Sequence, residues 1–355
     1  MDDNSKNCIF NEVSTLYHEY YDYAIKKRKW LEVPKDLEHR EIGYGMLKKV
    51  DNRNISFTNE IDYLSWVLKE APFHLYKSLS YMEHPSLIGG ATKKGIFKRE
   101  IAFDIDTHKT KYCSHDDSWI CEECLNEAKN QVLILSEDFL FPDFGLTKND
   151  LKIVFTGNRG YHVYLEPEDE SIKNRIESWG KDERRYFIEY ILGKNMNLRI
   201  MGNRWKIRLL KEFEKNKIGI KKFEKTADWK TEIDTRKDDI RKKIYEIIHN
   251  MKSRLELDEK VMDDDIRLLR TIGSLHGYTG LMVKEIAYDS LKNGQFDPLN
   301  HAVFSKFHKK RYSVKINQEV FQLTLKGEIF DHESKEIPAS YLLFLFGHGI
   351  DFEIL

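Results

Sequence analysis

The stretch Ile101-Ala102-Phe103-Asp104-Ile105-Asp106 is the most informative part of this sequence. Its apolar residues predict a buried strand, which we extend from Arg99 to Asp106 and expect at the centre of a sheet. Side chains two residues apart on a strand lie on the same face, so Asp104 and Asp106 should stand side by side where the strand ends. Neighbouring carboxylates are ligands for hard divalent cations. Together with the cluster of metal-type ligands that follows it, the stretch indicates an enzyme that handles nucleotides.

Softer metal ligands follow directly after this strand. They are arranged as Cys113-x-His115-x5-Cys121-x2-Cys124 in a short polar segment, residues 112–125, that could not bury a core of its own. Thiolates with an imidazole favour tetrahedral zinc, and Cys-x-x-Cys lets a tight turn present two thiolates to one ion. A thioredoxin-like redox centre would need neither the third cysteine nor the histidine. Because four protein ligands leave no open position, we predict a structural Zn²⁺ in a zinc knuckle.

The composition is that of a folded globular protein. The chain has 355 residues, of which 41% are hydrophobic and 33% are charged, and this balance excludes an intrinsically disordered chain. The formal net charge of −1 excludes a global basic field, so any binding to nucleic acid must use local patches. The candidate patches are Lys93, Lys94, Lys98 and Arg99, and Lys306, His308, Lys309, Lys310 and Arg311.

The sequence gives no sign of membrane insertion or secretion. Its first residues lack the apolar core of a secretory signal, and its longest apolar run, Tyr341 to Phe346, is far shorter than a membrane span. We therefore expect a protein of the cytoplasm, with no membrane partner. A reducing compartment also favours zinc over disulfides for the clustered cysteines.

Periodicity predicts an α+β protein with an insertion. The predicted elements are a helix over Ile9–Lys27, a hairpin of Ile42–Tyr44 and Ile55–Phe57, a helix over Ile61–Lys69 capped by Thr58 or Asn59, and a strand pair at Leu151–Phe155 and Tyr161–Leu165. Residues 171–251 are charged, free of proline and helical in pattern. We predict a helical insertion domain there, within a discontinuous main domain of residues 1–170 and 252–355.

Three short segments carry the polar residues of a candidate catalytic site. They are the Asp-x-Asp strand, the turn Thr156-Gly157-Asn158-Arg159-Gly160-Tyr161-His162, and Leu257-Asp258 followed by Arg270-Thr-Ile-Gly-Ser-Leu-His276. Each alone has a simpler interpretation, as a loop, a plain hairpin turn or a hydrogen-bonded core histidine. Together they combine carboxylates, arginines, histidines and a hydroxyl, a set that fits metal-assisted chemistry on a triphosphate.

These segments resemble those of the small catalytic subunit of the archaeal and eukaryotic type of DNA primase, most closely the archaeal form. That family has an Asp-x-Asp strand, a Ser-Gly-x-Arg-Gly-x-His turn, and a Leu-Asp-x-x-Val segment that leads to a basic residue and a histidine. The resemblance runs from about Arg40 to His276, includes Tyr76-x-Ser78, and departs in two places. Thr156 replaces serine and keeps the hydroxyl, while Asn158 replaces a second arginine that some relatives carry.

The resemblance implies the fold, the reaction and the roles of the site residues. It implies a mixed α/β primase catalytic fold with a zinc knuckle and a small inserted helical domain. The implied reaction is the synthesis of short primers on single-stranded DNA during replication. The resemblance also implies that Asp104, Asp106 and Asp258 bind two Mg²⁺ or Mn²⁺ ions for nucleotidyl transfer. The residues that would bind the incoming nucleotide are Arg53, Thr156, Arg159, His162, Arg270 and His276.

The same resemblance implies partners. Starting a primer requires two nucleotides on the template at once, and the sequence supplies one convincing triphosphate site. We therefore expect a heterodimer with a large regulatory subunit, besides the DNA template, the primer and NTPs or dNTPs. The location would be nuclear if the source is eukaryotic.

Three other functions remain open at this point. A repair-type primase-polymerase of the same superfamily would share the aspartates but normally lacks the knuckle. An Asp-x-Asp phosphohydrolase would use Asp104 as nucleophile, but its signature has Thr or Val where this chain has His108. A zinc-stabilised nucleic-acid-binding scaffold would leave three aspartates facing phosphate, which is unfavourable without a metal.

Overall fold

The computed structural model describes residues 3–355, with side chains from residue 7 onward, as a mixture of helices and mainly antiparallel sheets. This confirms the predicted α/β class. The helices are α1 Asp3–Asp22, α2 Glu60–Glu70, α3 Ala91–Lys94, α4 Glu122–Ile134, α5 Phe141–Phe144, α6 Glu170–Glu177, α7 Lys181–Ile191, α8 Asn203–Lys215, α9 Trp229–Asp234, α10 Asp238–Lys252, α11 Lys260–Asp263, α12 Tyr288–Lys292, α13 Pro298–His301, α14 Ser305–Lys309 and α15 Ala339–Gly347. Within the described residues, no helix combines the length and apolar character needed to cross a membrane.

The strands form two four-stranded sheets and several smaller ones. They are β1 Ile42–Gly45, β2 Asn52–Ile55, β3 His74–Ser78, β4 Ser80–Met82, β5 Ile96–Arg99, β6 Ile101–Asp106, β7 Leu151–Phe155, β8 Gly160–Leu165, β9 Leu268–Arg270, β10 Lys284–Ile286, β11 Arg311–Ile316, β12 Leu323–Leu325, β13 Glu328–Phe330, β14 Glu336–Pro338 and β15 Phe352–Ile354. The first sheet has the order β2-β1-β3-β9, and the second has the order β10-β7-β8-β6.

The Asp-x-Asp strand lies at an edge of the second sheet, and the expected central position is wrong. β6 pairs along its length with β8, but on its other side only an isolated bridge joins Ile105 to Leu257. The predicted strand from Arg99 is also interrupted at Glu100, since β5 ends at Arg99 and pairs with β4. An edge position leaves one side of the strand open, and the Asp258 segment approaches there.

The N-terminal predictions are largely confirmed. Val13, Leu16 and Tyr20 line the buried face of α1. β1 and β2 form the expected antiparallel hairpin, although β2 ends at Ile55 rather than continuing to Phe57. Asn59 caps α2, because its side chain accepts a hydrogen bond from the Asp62 backbone N–H.

The region between residues 171 and 251 is helical, as its charged periodicity predicts. Helix α7 packs on the main body: the Phe187 ring lies 5.6 Å from the Phe103 ring, and Arg184 Nε donates to the Met262 carbonyl at 2.9 Å. Phe213 of α8 and Trp229 of α9 pack with their ring centres 5.8 Å apart, and both belong to the same apolar core as Phe103 and Phe187. The division into a discontinuous catalytic domain and an insertion domain stays a prediction.

The two predicted basic patches are partly neutralised or buried. Lys94 is fully buried and lies 3.1 Å from a Glu41 carboxylate oxygen, while Arg99 is buried and donates to the Met262 carbonyl. In the second patch, Lys310 pairs with Glu19 at 3.1 Å. Counting cations in sequence therefore overestimated the charge available to DNA, because local composition does not reveal which acids fold against them.

Candidate active site

Three carboxylates meet at the open edge of β6. Asp104 and Asp106 project from the same face of the strand, as the period of two requires. Asp258 joins them through the backbone: its N–H donates to the Asp104 carbonyl at 3.0 Å, next to the Ile105–Leu257 bridge. The structure therefore brings together all three predicted aspartates from two distant segments.

The carboxylates repel one another in a partly desolvated place. The Asp104 side chain is only 17% exposed, and burial, reinforced by the charge of Asp106, raises its pKa to about 7. A carboxylate cluster of this kind is stabilised when a cation is bound among its oxygens. The donors are all hard oxygens, which fits Mg²⁺ or Mn²⁺ rather than a softer metal.

Arg267 lies among these carboxylates and was missed by the sequence analysis. Its guanidinium is 2.6 Å from Asp258 Oδ2 and 3.9 Å from Asp104 Oδ2. The sequence carried no signal for it beyond its closeness to Arg270, which the motif comparison emphasised instead. Arg267 is thus the principal positive charge beside the acidic cluster.

The turn between β7 and β8 approaches other backbone closely, and its two glycines explain how. Gly157 has φ +83°, and a Cβ there would lie 2.7 Å from His276 Cβ. A Cβ on Gly160 would lie 2.1 Å from the Ile105 carbonyl oxygen. The Thr156 hydroxyl donates to the Gly160 carbonyl at 3.2 Å and so closes the turn. Side chains larger than hydrogen at either glycine would push the turn away from the aspartates or from His276.

His162 stands opposite Asp104 in the β6–β8 register, with Nε2 3.6 Å from Asp104 Oδ1. Burial and, next, the Arg270 guanidinium lower the pKa of His162 to about 3. The same two causes hold the pKa of His276 well below its ordinary value. Both imidazoles are therefore neutral at physiological pH and act as hydrogen-bonding groups rather than charges.

Arg270 extends from β9 of the first sheet, where it is paired with Tyr76 on β3. Its guanidinium lies 4.9 Å from the centre of the Tyr76 ring and 3.1 Å from His74 Nδ1. These contacts orient the group toward the cleft between the two sheets. The cleft is lined by Lys49, Tyr76, Asp104, Asp106, Thr156, Asn158, His162, Arg267, Leu268, Leu269, Arg270 and His276.

Two residues predicted to bind the nucleotide, Arg53 and Arg159, do not line this cleft and have other partners. Arg53 donates to both carboxylate oxygens of Glu41, at 2.7 and 3.1 Å, and to the Ile266 carbonyl at 2.9 Å. Arg159 donates to the Asp117 carbonyl in the knuckle segment. Conversely, the cleft contains Lys49, which the sequence analysis missed because a lysine in a hairpin tip is usually solvated.

The predicted zinc ligands converge as expected. One ligand atom from each of Cys113, His115, Cys121 and Cys124 lies within 4.8 Å of all the others. Three thiols and one imidazole at such mutual distances fit a tetrahedral Zn²⁺. His115 presents Nε2 toward Cys124, while its Nδ1 lies 2.6 Å from the Asp116 carbonyl, the kind of contact that fixes a ligating ring.

The knuckle is attached both to the carboxylate strand and to α15. Thr107, the residue after Asp106, donates its hydroxyl to the carbonyls of Cys124 and Arg159, at 3.1 and 2.9 Å. On the other side, the Trp119 ring packs 4.7 Å from the Phe344 ring of α15. The knuckle therefore contacts the end of β6 through the Thr107 hydroxyl.

Comparison with known proteins agrees with this geometry. The family model described as DNA primase small subunit matches residues 103–288, just over half of the chain. The chain belongs to the DNA primase small subunit family. It is 77% identical to the DNA primase small subunit PriS of Methanococcus maripaludis, over the full length of both chains, and 55% identical to that of Methanocaldococcus jannaschii, over 98% of this chain and 99% of the relative. The protein of the same name from Thermoplasma acidophilum is 26% identical over 92% of this chain.

Membership in the DNA primase small subunit family confirms the predicted activity. The chain is a nucleotidyltransferase that synthesises primers in DNA replication. The phosphohydrolase, the scaffold and the repair-type polymerase are set aside, because the relatives that match the whole chain are primase subunits. The matched range contains each predicted site residue except Arg53.

Proposed function

We propose that Asp104, Asp106 and Asp258 hold two Mg²⁺ or Mn²⁺ ions and that the cleft beside them binds the incoming nucleoside triphosphate. The observation that supports this most strongly is the hydrogen bond from the Asp258 N–H to the Asp104 carbonyl, at 3.0 Å, which joins the third carboxylate to the pair. Divalent cations at such a site lower the pKa of a 3′-hydroxyl and stabilise a leaving pyrophosphate. A protein general base is then unnecessary.

The residues of the cleft would hold the triphosphate. Arg270 supplies a planar cation suited to two phosphate oxygens, and the neutral His162 and His276 supply further hydrogen-bonding groups. Thr156 supplies a hydroxyl beside them. For Arg53 and Arg159 the proposal requires a change of partner on substrate binding. The Arg53 guanidinium is paired with the Glu41 carboxylate, and the Arg159 guanidinium donates to the Asp117 backbone carbonyl.

We further propose that Cys113, His115, Cys121 and Cys124 bind a structural Zn²⁺. This is supported by the close approach of their ligand atoms, all within 4.8 Å of one another. The ion would stiffen a segment that is otherwise short and polar, and through Thr107 it would hold the end of β6. Metal analysis of purified protein should find about one zinc per chain.

A partner subunit is proposed because the start of a primer requires two nucleotides to be bound at once. The relatives are named small subunits, and a chain with one triphosphate cleft needs help to hold two nucleotides at the start of a primer. We propose a larger subunit that supplies the second nucleotide site, with single-stranded DNA as template and NTPs or dNTPs as substrates. Because the relatives are archaeal, the working location would be the cytoplasm.

The test is nucleotide incorporation on a single-stranded homopolymer with Mg²⁺ or Mn²⁺, with and without a short primer. Asp106→Ala should abolish template-dependent product, whereas Asp239→Ala, on the exposed face of α10, should leave it intact. Wild-type activity in Asp106→Ala would refute the metal site. Equal primer initiation by the chain with and without its partner would refute the proposal that a larger subunit supplies the second nucleotide site.

A further inference from the structure

The guanidinium of Arg267 contacts a carboxylate oxygen of Asp258 that a divalent cation would need as a ligand. Asp258 has two carboxylate oxygens. Oδ1 accepts the backbone N–H of Lys260 at 3.0 Å, and Oδ2 accepts from Arg267 at 2.6 Å. A divalent cation that uses Asp258 must therefore take an oxygen that already has a partner, and the side-chain contact is easier to break than one within the backbone turn.

The same guanidinium also faces the second aspartate, since it lies 3.9 Å from Asp104 Oδ2. Its backbone is fixed on both sides: the Arg267 N–H donates to the Asp264 carbonyl at 3.2 Å, and its carbonyl accepts from the Leu79 N–H at 3.0 Å. The Arg267 side chain remains 28% exposed and projects into the cleft. The main chain is thus anchored while the charged end is free to turn.

Arg267 also has cationic neighbours. Arg270 lines the same cleft. Burial and then Arg184 lower the pKa of buried Arg99; Asp265 and Asp264 oppose this shift, and Arg267 adds a smaller contribution to it. Without its carboxylate partners, the Arg267 guanidinium would repel these groups and would be stabilised by a new anion. Phosphate oxygens are the anions that a guanidinium binds best, often with two parallel hydrogen bonds.

We infer that Arg267 is an internal counterion of the metal site, which holds Asp104 and Asp258 together in the metal-free protein and competes with the divalent cation for Asp258. Metal loading then releases the guanidinium to the phosphates of the bound nucleotide. The inference rests on the proposed metal site and adds to it a positioning residue with two alternative partners.

The competition is tested by titrating the full-length, zinc-loaded chain with Mn²⁺ and recording free Mn²⁺ by electron paramagnetic resonance, without nucleotide or DNA. Arg267→Gln should bind Mn²⁺ about fivefold more tightly than wild type, because the partly buried ion pair with Asp258 no longer competes. Arg267→Lys, which keeps the charge, should stay closer to wild type. Arg267→Met is a second neutral variant in case the glutamine variant does not fold.

Two further variants complete the experiment. Arg241→Gln removes a cation that pairs with Asp238 at 2.7 Å on α10, and it should leave Mn²⁺ affinity unchanged. Asp258→Asn should weaken Mn²⁺ binding strongly. In a parallel measurement at saturating Mn²⁺, both neutral Arg267 variants should bind a non-hydrolysable NTP less tightly than wild type, because they lack the released guanidinium.

The outcomes separate the two claims. Unchanged or weaker Mn²⁺ binding in the neutral Arg267 variants, with Asp258→Asn impaired, would overturn the counterion role and leave the metal site standing. Wild-type Mn²⁺ binding in Asp258→Asn would refute the metal site itself and the inference with it. Tighter Mn²⁺ binding with unchanged NTP affinity would overturn the release to phosphate.

Discussion

Asp258 donates its backbone N–H to the carbonyl oxygen of Asp104, at 3.0 Å. This bond places the Asp258 carboxyl group beside those of Asp104 and Asp106, although the two segments lie far apart in the sequence. The bond is possible because β6 is an edge strand with one free row of backbone groups. An edge strand is normally protected against pairing with other chains, and here the Asp258 segment covers it at Ile105. The exposed row of backbone groups is thus used to assemble the site.

Metal affinity should depend on pH around neutrality. Burial and Asp106 raise the pKa of Asp104 to about 7, and a carboxyl group must lose its proton before it binds a cation. At one pH unit below that pKa, Mn²⁺ affinity should fall about tenfold, while at one unit above it should be close to its maximum. Mn²⁺ titrations at pH 6 and pH 8 measure this. An affinity that stays flat between these pH values would contradict the raised pKa.

The same shift predicts how the stability of the Mg²⁺-free protein varies with pH. The folded-state pKa of Asp104, about 7, exceeds the ordinary unfolded value of about 4, so between these values the folded protein binds more protons. Stability is therefore lost as pH rises from about 4 to about 7. Asp104→Asn should raise the melting temperature at pH 8 by about 5 °C and have little effect at pH 4. Zinc-loaded protein in buffer free of Mg²⁺ and Mn²⁺ is required, and an equal effect at both pH values would refute the assignment.

Gly160→Ala should disrupt the turn and the end of β6. The added Cβ would lie 2.1 Å from the Ile105 carbonyl oxygen, which belongs to the backbone and cannot rotate away. We expect a loss of about 3 kcal/mol in the free energy of unfolding, together with lower activity, because Asp106 is the register partner of Gly160. Gly90→Ala is the matched control, since a Cβ there meets nothing within 4 Å. Denaturant unfolding of both variants provides the measurement.

Loss of zinc should affect nucleotide binding as well as stability. Cys121→Ser removes one ligand of the cluster, and the knuckle also holds the Arg159 guanidinium and the Thr107 hydroxyl. We expect a lower zinc content, a lower melting temperature and a KM for NTP raised about tenfold, because the turn beside the cleft loses its support. Cys8→Ser, which changes an exposed cysteine outside the cluster, is the control. A zinc-depleted variant with wild-type KM would show that the knuckle is independent of the cleft.

Local patterns in the sequence predicted the elements that depend on near neighbours. The alternation in β6 correctly placed Asp104 and Asp106 on one face, and the Cys and His spacing predicted a cluster that the structure brings together. These features depend on side-chain direction and short loops, which sequence spacing records.

The remaining features depend on contacts between distant segments, which the spacing of residues does not record. The edge position of β6, the burial of Lys94 by Glu41 and the placement of Arg267 beside Asp258 all result from tertiary packing. The engagement of Arg53 with Glu41 belongs to the same class. In the three cases that involve ion pairs, the charged residue has an opposite charge nearby in space but not at a helical or strand spacing along the chain.

The packing of Trp119 against Phe344 has a consequence for the order in which the protein matures. The knuckle is synthesised long before α15, because His348 at the end of that helix lies 230 positions after Ser118, which its ring contacts. During translation the knuckle therefore leaves the ribosome before the helix against which it finally packs. Chains fold progressively from the N-terminus during synthesis. The knuckle therefore reaches its final packing only after α15 has been synthesised, which makes this packing a late step in the maturation of the protein.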